Sequence, residues 1–186
     1  SGQPSAPILI RACSSRNLRA YALMALVAFK RAAHLSYVPM PGGAAAIKEP
    51  WRMAASYLHA AFGEELMNLN LPLLKQMERQ KIRIIIEMIT KGINCPQTSS
   101  LGRLFDAVAA IAGVRNHVNF EGQAAMELEM LAGGRSDNVY DIEWTTDAPI
   151  KIQPQTIIRG VVHDVQNGRS ITEISDTFHR TLVVLF

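Results

Sequence analysis

The segment TSSLGRLFDAVAAIAGV, residues 98–114, is the most strongly patterned part of this sequence and dominates the prediction of its fold. Its apolar side chains recur at helical spacing, which predicts an α-helix with one buried stripe. The members of that stripe are Leu101, Leu104, Phe105, Val108 and Ala112. A hydroxyl side chain at Thr98, Ser99 or Ser100 is expected to cap the first turn, because it can accept a free backbone N–H.

Three residues near the start of this helix do not fit an apolar stripe. Gly102 precedes Arg103, and Asp106 follows Arg103 by three positions, so the two charged side chains are neighbours on the helix. The pattern by itself favours a helix-surface ion pair between Arg103 and Asp106, with Gly102 allowing close packing. The alternative is that they meet a ligand, since a guanidinium binds oxyanions and a glycine lets the backbone approach closely.

Length and composition exclude several classes of protein. The 186 residues suit one domain or two small ones, and 48% hydrophobic against 19% charged residues argues against disorder. The net charge is only +3, aromatic residues make up 6%, and no run of five basic residues occurs. A general nucleic-acid-binding role is therefore not expected.

Cysteine usage and the longest apolar stretch predict where the protein works. Cys13 and Cys95 are far apart and neither belongs to a CxxC motif, which argues against a disulfide framework or a zinc site. The apolar stretch 18–29 contains Arg19, is too short to span a bilayer and lacks a signal-peptide cleavage pattern. We therefore expect a soluble cytoplasmic protein that does not bind membranes.

Apolar spacing, glycines and prolines predict the other helices. Those helices span residues 16–34, 49–63, 71–92, 121–134 and 170–186. Ser170 and Glu173 form the pattern of a capping box at the start of the last one. Residues 33–43 are expected to be extended and then to turn, because Pro39 and Pro41 exclude a helix there.

The last quarter of the sequence has a different texture. Alternation and β-branched residues in 139–144 and 150–165 predict two or three strands. The predicted chain is α+β and predominantly α-helical. It is helical over 49–134, has a small β element within 139–165 and ends in the helix 170–186, while residues 1–27 stay unassigned. The chain ends on the apolar run LVVLF, which suggests a piece cut from a longer protein.

Several common enzyme motifs are missing from the sequence. There is no GxGxxG, no GxxxxGK[ST] and no GxSxG. None of the five histidines has a second histidine four positions away, as a helical metal site requires. We predict no metal site in this chain, and a self-contained enzyme is not expected.

Three segments together resemble a known family. They are VPMPGGAAAIKEPWRMA (38–54), NCPQTSSLGRLFDAVAAIAGV (94–114) and NFEGQAAMELEMLA (119–132). In this order they resemble the hydrogenase maturation carbamoyltransferase family HypF, in the C-terminal domain that is similar to the tRNA threonylcarbamoyladenosine transferases. The resemblance covers about 28–182, and it implies a fragment of an actin/hexokinase-like (ASKHA) domain.

The resemblance implies a function for the whole protein. HypF uses carbamoyl phosphate and ATP to form carbamoyl adenylate, and it passes the carbamoyl group to the C-terminal cysteine of HypE for the cyanide ligands of nickel–iron hydrogenase. HypE and the other domains of the same protein are the expected partners. The metal ion and the zinc of the full protein are expected outside this chain. The fragment would supply one wall of the nucleotide cleft and would be inactive alone.

The resemblance also implies candidate residues for binding nucleotide or substrate. In the tRNA-modifying relatives the matching helix reads G-E-x-F-D-K, which implies that Gly102 lies near ribose or base and that Asp106 accepts a ribose hydroxyl. Arg103 would pair with a phosphate or with the carbamoyl group. This sequence has Arg103 in place of Glu and Ala107 in place of Lys, so the location is carried over rather than the individual contacts.

A second candidate group precedes the next predicted helix. The sequence Phe120-Glu121-Gly122-Gln123 matches a Y-P-G-G turn of the relatives, and a helix start with a glycine offers free N–H groups to an anion or a ribose. Glu121, Gly122, Gln123 and Glu127 are therefore further candidates for the cleft. The alternative for Gly122 is a simple helix cap.

Two other functions remain as alternatives. The first is a protein-interaction module that docks HypE or other HypF domains through the helices within 49–92, which exposed apolar side chains on those helices would favour. In that region Trp51 is predicted to lie in the core, and Arg52 is predicted to line a cleft or to form an interdomain salt bridge. Outside it, Met126 and Met130 are predicted core residues. A nucleic-acid binder is disfavoured, because its basic residues are spread around the helix. Those residues are Lys75, Arg79, Lys81, Arg83 and Lys91.

Overall fold

The computed structural model describes residues 31–134 and 136–185. Its α-helices are α1 (Ala45–Lys48), α2 (Pro50–Phe62), α3 (Pro72–Gln76), α4 (Arg79–Lys91), α5 (Leu101–Ile111), α6 (Gln123–Met130), α7 (Pro154–Gln166) and α8 (Ile171–Leu185), and a 3₁₀ helix covers Gly63–Asn68. Its strands are β1 (Ala33–Leu35), β2 (Val38–Pro39), β3 (Gln97–Thr98), β4 (Glu143–Trp144) and β5 (Ile150–Gln153). Helix predominates, as the sequence predicted.

Two small sheets hold the irregular segments in place. In the first, β5 lies between β1, which runs parallel to it, and β4, which runs antiparallel. In the second, β2 and β3 are antiparallel with Val38 opposite Thr98, and the N–H of Gly42 continues this ladder to the carbonyl of Asn94 at 2.8 Å. This ladder ties the turn at 41–43 to the segment that leads directly into α5.

Helix α2 lies at the centre of the core and contacts α4, α5 and α7. Pro50 occupies its first turn and Gly63, at φ +57°, follows its end, as the sequence predicted. Helix α5 packs against α2 on one side and against α6 and α7 on others. Because it has neighbours in several directions, α5 is buried over much more of its circumference than one stripe.

The predicted helix over 71–92 is wrong, because the chain breaks it into α3 and α4. Met77 and Glu78 are extended, with ψ of 140° and 125°. Leu73 of α3 and Ile82 of α4 are both buried, yet nine residues apart they would point about 180° apart on one straight helix. The break lets both reach the core, and it leaves Lys81 exposed to solvent.

The predicted strand over 150–165 is also wrong beyond Gln153, where α7 begins. Pro154 occupies the first turn of the helix, which suits its fixed φ and its missing N–H. The buried side chains of α7 follow at helical intervals despite their β-branching. They include Ile157, Ile158, Val161 and Val162. Within 139–144 the strand is limited to Glu143–Trp144.

The remaining predictions have mixed outcomes. The predicted helix 16–34 is wrong at its end, where Ala33–Leu35 is a strand. Residues 1–30 lie outside the described residues, and they include the rest of that predicted helix, the unassigned segment 1–27 and Cys13. The predicted hydroxyl cap of α5 is wrong, because Ser100 precedes the helix without a side-chain capping bond and Thr98 accepts the Ser100 N–H instead.

Of the predictions for the last helix and for the core, some are confirmed and others are wrong. The capping box is confirmed, since the Glu173 N–H donates to Ser170 Oγ at 3.2 Å and the Ser170 N–H donates to the Glu173 carboxylate. The burial of Trp51 is confirmed. Met126 and Met130 are not core residues, because they lie on a face of α6 that no described element covers and are 54% and 81% exposed.

Candidate functional site

Arg103 and Asp106 form a buried ion pair on α5, not the helix-surface pair that their spacing suggested. Arg103 Nη1 lies 3.1 Å from Asp106 Oδ2, and the two side chains are only 8% and 3% exposed. The spacing of three residues sets their contact, while the packing of α5 on α2 and α6 buries it. A charged pair in this position has lost most of its hydration, which makes it expensive to maintain and damaging to break.

The ion pair is poorly hydrogen-bonded. Arg103 Nη1, Asp106 Oδ2 and Tyr57 Oη of α2 are all buried, and none of the three atoms has a hydrogen-bond partner of acceptable geometry. A buried polar atom without such a partner costs free energy, so three of them in one cluster need a physical explanation. Sequence reasoning missed Tyr57, because nothing in its local pattern distinguishes it from the apolar residues of α2.

The electrostatics of this cluster follow from its burial. Burial raises the pKa of Asp106 to about 6; Arg103 opposes this rise and Glu121 adds to it. Burial likewise raises the pKa of Tyr57, with opposing contributions from Arg103 and Asp106. The influence of both charged groups on Tyr57 places the three side chains in one electrostatic unit, which we call the Arg103 cluster.

Glu121 connects the Arg103 cluster to the surface. Its Oε1 lies 3.4 Å from Arg103 Nη2, and its side chain is 73% exposed. Arg103 therefore stands between two carboxylates, of which Asp106 is enclosed by the fold and Glu121 is hydrated. The longer contact to an exposed partner is the weaker of the two and is the easier to exchange.

The two candidate glycines differ in what requires them. Gly102 lies in the first turn of α5, and a Cβ there would meet no atom closer than Ser100 Oγ at 3.5 Å, so packing does not require a glycine. Gly122 precedes α6 at φ +85°, a backbone conformation that favours glycine. The cap interpretation accounts for Gly122, whereas nothing within the described structure accounts for Gly102.

The other candidates belong to a second cluster around Arg115. Arg115 donates two hydrogen bonds to Glu127, at 2.6 and 2.7 Å, and Gln123 Nε2 donates to the same carboxylate at 2.9 Å. Gln123 Oε1 accepts the Asn119 N–H at 2.8 Å. The bonds from Arg115 and Gln123 lower the pKa of Glu127. This carboxylate is thus engaged by the fold, and sequence reasoning missed the arginine that engages it.

The structure therefore brings Arg103, Asp106 and Glu121 together and places Gln123 and Glu127 in a separate cluster. Within residues 31–134 and 136–185, no group of three or more His, Cys, Asp or Glu side chains is arranged to hold a metal ion. In the same part of the chain no helix has the length and apolar character needed to cross a membrane.

Comparison with known proteins places this arrangement in a family. The family model described as "Carbamoyltransferase, Kae1-like Domain, second subdomain" matches residues 22–186. Carbamoyltransferase HypF2 of Cupriavidus necator is 45% identical over 107 residues, which cover 56% of this chain and 12% of the relative. Carbamoyltransferase HypF of Rhizobium leguminosarum is 36% identical over 163 residues, which cover 83% of this chain and 19% of the relative.

Solved structures agree with these relatives. A full-length HypF in a phosphate- and nucleotide-bound form superimposes with a TM-score of 0.75 at 38% identity, over 83% of this chain and 24% of the other. HypF of T. kodakarensis superimposes with a TM-score of 0.67 at 26% identity, over 81% of this chain and 20% of the other. The chain thus spans about a fifth of the length of these proteins.

The resemblance found in the sequence and the predicted α+β fold class are confirmed by these matches, which identify a Kae1-like carbamoyltransferase domain. The relatives are named carbamoyltransferases, and each is several times longer than the part of it that this chain matches. The chain belongs to the HypF carbamoyltransferase family and corresponds to the second subdomain of its Kae1-like domain.

Proposed function

We propose that this chain is the part of a cytoplasmic HypF carbamoyltransferase that forms one wall of its nucleotide cleft. The full protein would use carbamoyl phosphate and ATP to form carbamoyl adenylate and would then carbamoylate the C-terminal cysteine of HypE. Family membership supports the reaction class, and a matching HypF was solved with phosphate and nucleotide bound. The metal ion and the zinc of the full enzyme belong to segments outside this chain.

The observation that carries the proposal is the position of Arg103. Its guanidinium contacts the buried carboxylate of Asp106 on one side and the exposed carboxylate of Glu121, 3.4 Å away, on the other. A phosphate or carbamoyl oxygen that replaced Glu121 would meet a planar, oriented donor fork, the geometry that suits oxyanions. The fold would not need to open, since only a hydrated side chain must move.

The glycines next to Arg103 and Glu121 support the same surface. Gly102 and Gly122 are both partly exposed, and neither would place a Cβ against another group closer than 3.5 Å. A nucleotide could therefore approach the backbone on either side of the Arg103–Glu121 contact. Asp106 acts in this proposal as the residue that positions Arg103, because it is too enclosed to reach a ribose directly.

Binding of ATP to the isotopically labelled chain tests the proposal by two-dimensional NMR. Amide shifts are expected at 102–106 and 121–122, and Glu121→Gln should tighten binding because the competing carboxylate charge is gone. Arg115→Gln is the matched control, since it removes a guanidinium from the separate Arg115 cluster and should leave the ATP shifts unchanged. Millimolar ATP without shifts in these segments, or equal affinity after Glu121→Gln, would contradict the proposal.

The isolated chain should have no catalytic turnover. It spans about a fifth of the relatives, and its described residues contain no metal-binding group. Carbamoyl-phosphate-dependent consumption of ATP should therefore be absent from the chain alone. Detectable consumption that is lost in an Arg103 variant would refute this expectation.

A role in docking HypE or other HypF domains is the second candidate function. Ile84 of α4 is 47% exposed and Ile93, just after α4, is 56% exposed, which supports an apolar contact surface at these helices. Titration of the labelled chain with HypE tests this function, and shifts confined to 79–93 are the expected result. An unchanged spectrum at saturating HypE would exclude HypE as the partner of this face.

A further inference from the structure

A groove lies beside the start of α2, where α2 faces α4. It has a cavity volume of about 270 Å³ and separates the start of α2 from α4. Its lining includes Trp51, Arg52, Met77, Lys81, Ile84 and His117. We call it the Arg52 groove. It combines aliphatic walls with basic side chains, a composition that suits an acidic and partly apolar ligand.

Arg52 is held in a fixed orientation within this groove. Its Nε donates to the Glu49 carboxylate, and its guanidinium carbon lies 5.0 Å from the centre of the Trp51 ring. Nη1 packs against the turn at Gly42, where a Cβ would come within 3.2 Å of it. In the part of the chain that the structure describes, the two terminal nitrogens of Arg52 have no hydrogen-bond acceptor. An oriented guanidinium with free donors is suited to a carboxylate.

Trp51 provides a second donor that lacks an acceptor. The residue is 4% exposed, and its buried indole Nε1 has no hydrogen-bond partner. A buried indole N–H is normally paired, because leaving it unpaired costs free energy. Trp51 and Arg52 are adjacent and line the same groove, but the indole nitrogen itself is enclosed, so the donors that a ligand in the groove can reach are those of Arg52.

The chemistry of the groove selects a carboxylate over a more highly charged group. Glu49 balances the single positive charge of Arg52, and Lys81 is paired with Glu78 at 2.8 Å, so the groove has no large excess of positive charge. A single negative charge therefore suits the site better than a phosphate dianion. Met77 and the half-exposed Ile84 add aliphatic surface beside it. An acidic side chain with an aliphatic neighbour along a peptide matches both features.

We propose that the Arg52 groove docks an acidic-aliphatic peptide segment from another part of the HypF polypeptide. An Asp or Glu carboxylate would accept from the terminal nitrogens of Arg52, and the neighbouring aliphatic side chain would contact Met77 and Ile84. The source follows from the comparisons: this chain covers 24% of the HypF chain it matches and corresponds to one subdomain of a larger domain. The proposal rests on the proposed function only in placing the chain within HypF.

The chain offers a matched pair of lysines for testing this proposal. Lys81 lines the groove, whereas Lys91 lies on the same helix outside it. Their side chains are 54% and 57% exposed; Lys81 is paired with Glu78, just before α4, and Lys91 with Glu87 of α4. Acetylation of the two amines, followed by mass spectrometry, therefore compares a lysine that lines the groove with one outside it, at nearly equal exposure in this chain.

The rates are measured on the isolated chain and on the full HypF polypeptide that contains it, without nucleotide. In the full polypeptide, acetylation of Lys81 should slow at least about tenfold while that of Lys91 changes less than about twofold. Arg52→Gln in the full polypeptide should restore Lys81 reactivity, with thermal unfolding of the variant chain as the check on its fold. Equal reactivity of Lys81 in both proteins, or protection only after HypE is added, would overturn the proposal.

A second experiment tests the chemistry of the contact on the isolated chain. Its two indole N–H signals belong to Trp51 and Trp144. The probe N-acetyl-leucyl-glutamate amide should shift the Trp51 indole signal, because the Trp51 ring lines the groove, and should leave the signal of Trp144 unchanged. The glutamine analogue of the probe should move neither. No movement of the Trp51 signal would overturn the proposal while leaving the ATP shifts at 102–106, and hence the proposed function, unaffected.

Discussion

Two arginine–carboxylate pairs lie at the contact between α5 and α6, and they differ in almost every physical respect. Arg103 and Asp106 are buried at 8% and 3% side-chain exposure, and the facing atoms of the pair lack good hydrogen-bond geometry. Arg115 and Glu127 are 40% and 27% exposed and form two short hydrogen bonds. The pair with the better hydrogen bonds, Arg115–Glu127, is therefore the more exposed one, whose hydrogen bonds water could also supply.

The difference indicates which pair serves the fold and which serves a ligand. The Arg115 pair satisfies itself, so it needs no further partner. The Arg103 pair retains desolvated charge and unsatisfied atoms, features that a fold under selection for stability alone would exchange for apolar residues. Unsatisfied charge next to an exposed, replaceable Glu121 is the arrangement expected where a ligand completes the bonding.

The largest expected effect is from Arg103→Met, which leaves the Asp106 carboxylate buried without its counter-charge. Removing one partner of a buried pair costs about 3–5 kcal/mol, which for a chain of this size lowers the melting temperature by about 6–20 °C. The double variant Arg103→Met/Asp106→Leu should recover most of the loss, because no charge is then left in the interior. Thermal unfolding at pH 7 measures both, and a single variant as stable as the parent would contradict the assignment.

The second prediction concerns pH and compares the carboxylates of the two pairs. Burial raises the pKa of Asp106 from 3.8 to about 6, so its folded form binds the proton more tightly than the unfolded chain. Its contribution to stability should therefore increase as pH falls from about 7 to about 4, by on the order of 3 kcal/mol. Glu127 should show the opposite sign, because hydrogen bonds lower its pKa and its contribution is lost at acid pH.

Denaturant unfolding between pH 4 and 7 measures this difference, with each variant subtracted from the parent at the same pH. The free energy of the parent relative to Asp106→Asn should rise as pH falls, whereas relative to Glu127→Gln it should decline. Parallel slopes for the two variants would show that the carboxylates have similar surroundings, and the comparison would then be wrong.

The third prediction uses Gly102 to separate folding from binding at the Arg103 cluster. A Cβ there meets only Ser100 Oγ at 3.5 Å, and the residue is helical, so Gly102→Ala should stabilise the chain by about 0.5–1 kcal/mol. The same methyl group would occupy the surface where we propose that the nucleotide approaches. A raised melting temperature together with weakened ATP shifts is the expected result. A lowered melting temperature would show instead that packing requires a glycine at position 102.

The sequence predicted correctly those helices whose ends are marked by capping or helix-breaking residues. Pro50 and Gly63 mark the two ends of α2, and the reciprocal bonds of Ser170 and Glu173 begin α8. These signals act within one turn, so they survive whatever surrounds them. The break at Met77 and the helix after Pro154 depended instead on which side chains reach the core, and that is decided by α2 and its neighbours.

The candidate site shows the same limit of sequence reasoning. The three-residue spacing predicted that Arg103 and Asp106 meet, and they do. Their burial was not predictable, because it depends on the packing of α5 against α2, which is distant from it in sequence. Tyr57 and Arg115 were missed for this reason, since each joins its cluster from another element or loop. Contacts between distant segments were therefore the part that local pattern could not supply.

The smallest expected effect is from Arg115→Gln, which removes the well-made pair at the surface. Glu127 is hydrated and retains the hydrogen bond from Gln123, so the melting temperature should fall by less than about 2 °C. What loss there is should shrink further at high salt, because exposed charges are screened. Thermal unfolding at low and high salt measures both effects. A loss as large as that of Arg103→Met would mean that α6 is anchored through Arg115, and stability would then account for both pairs without a ligand.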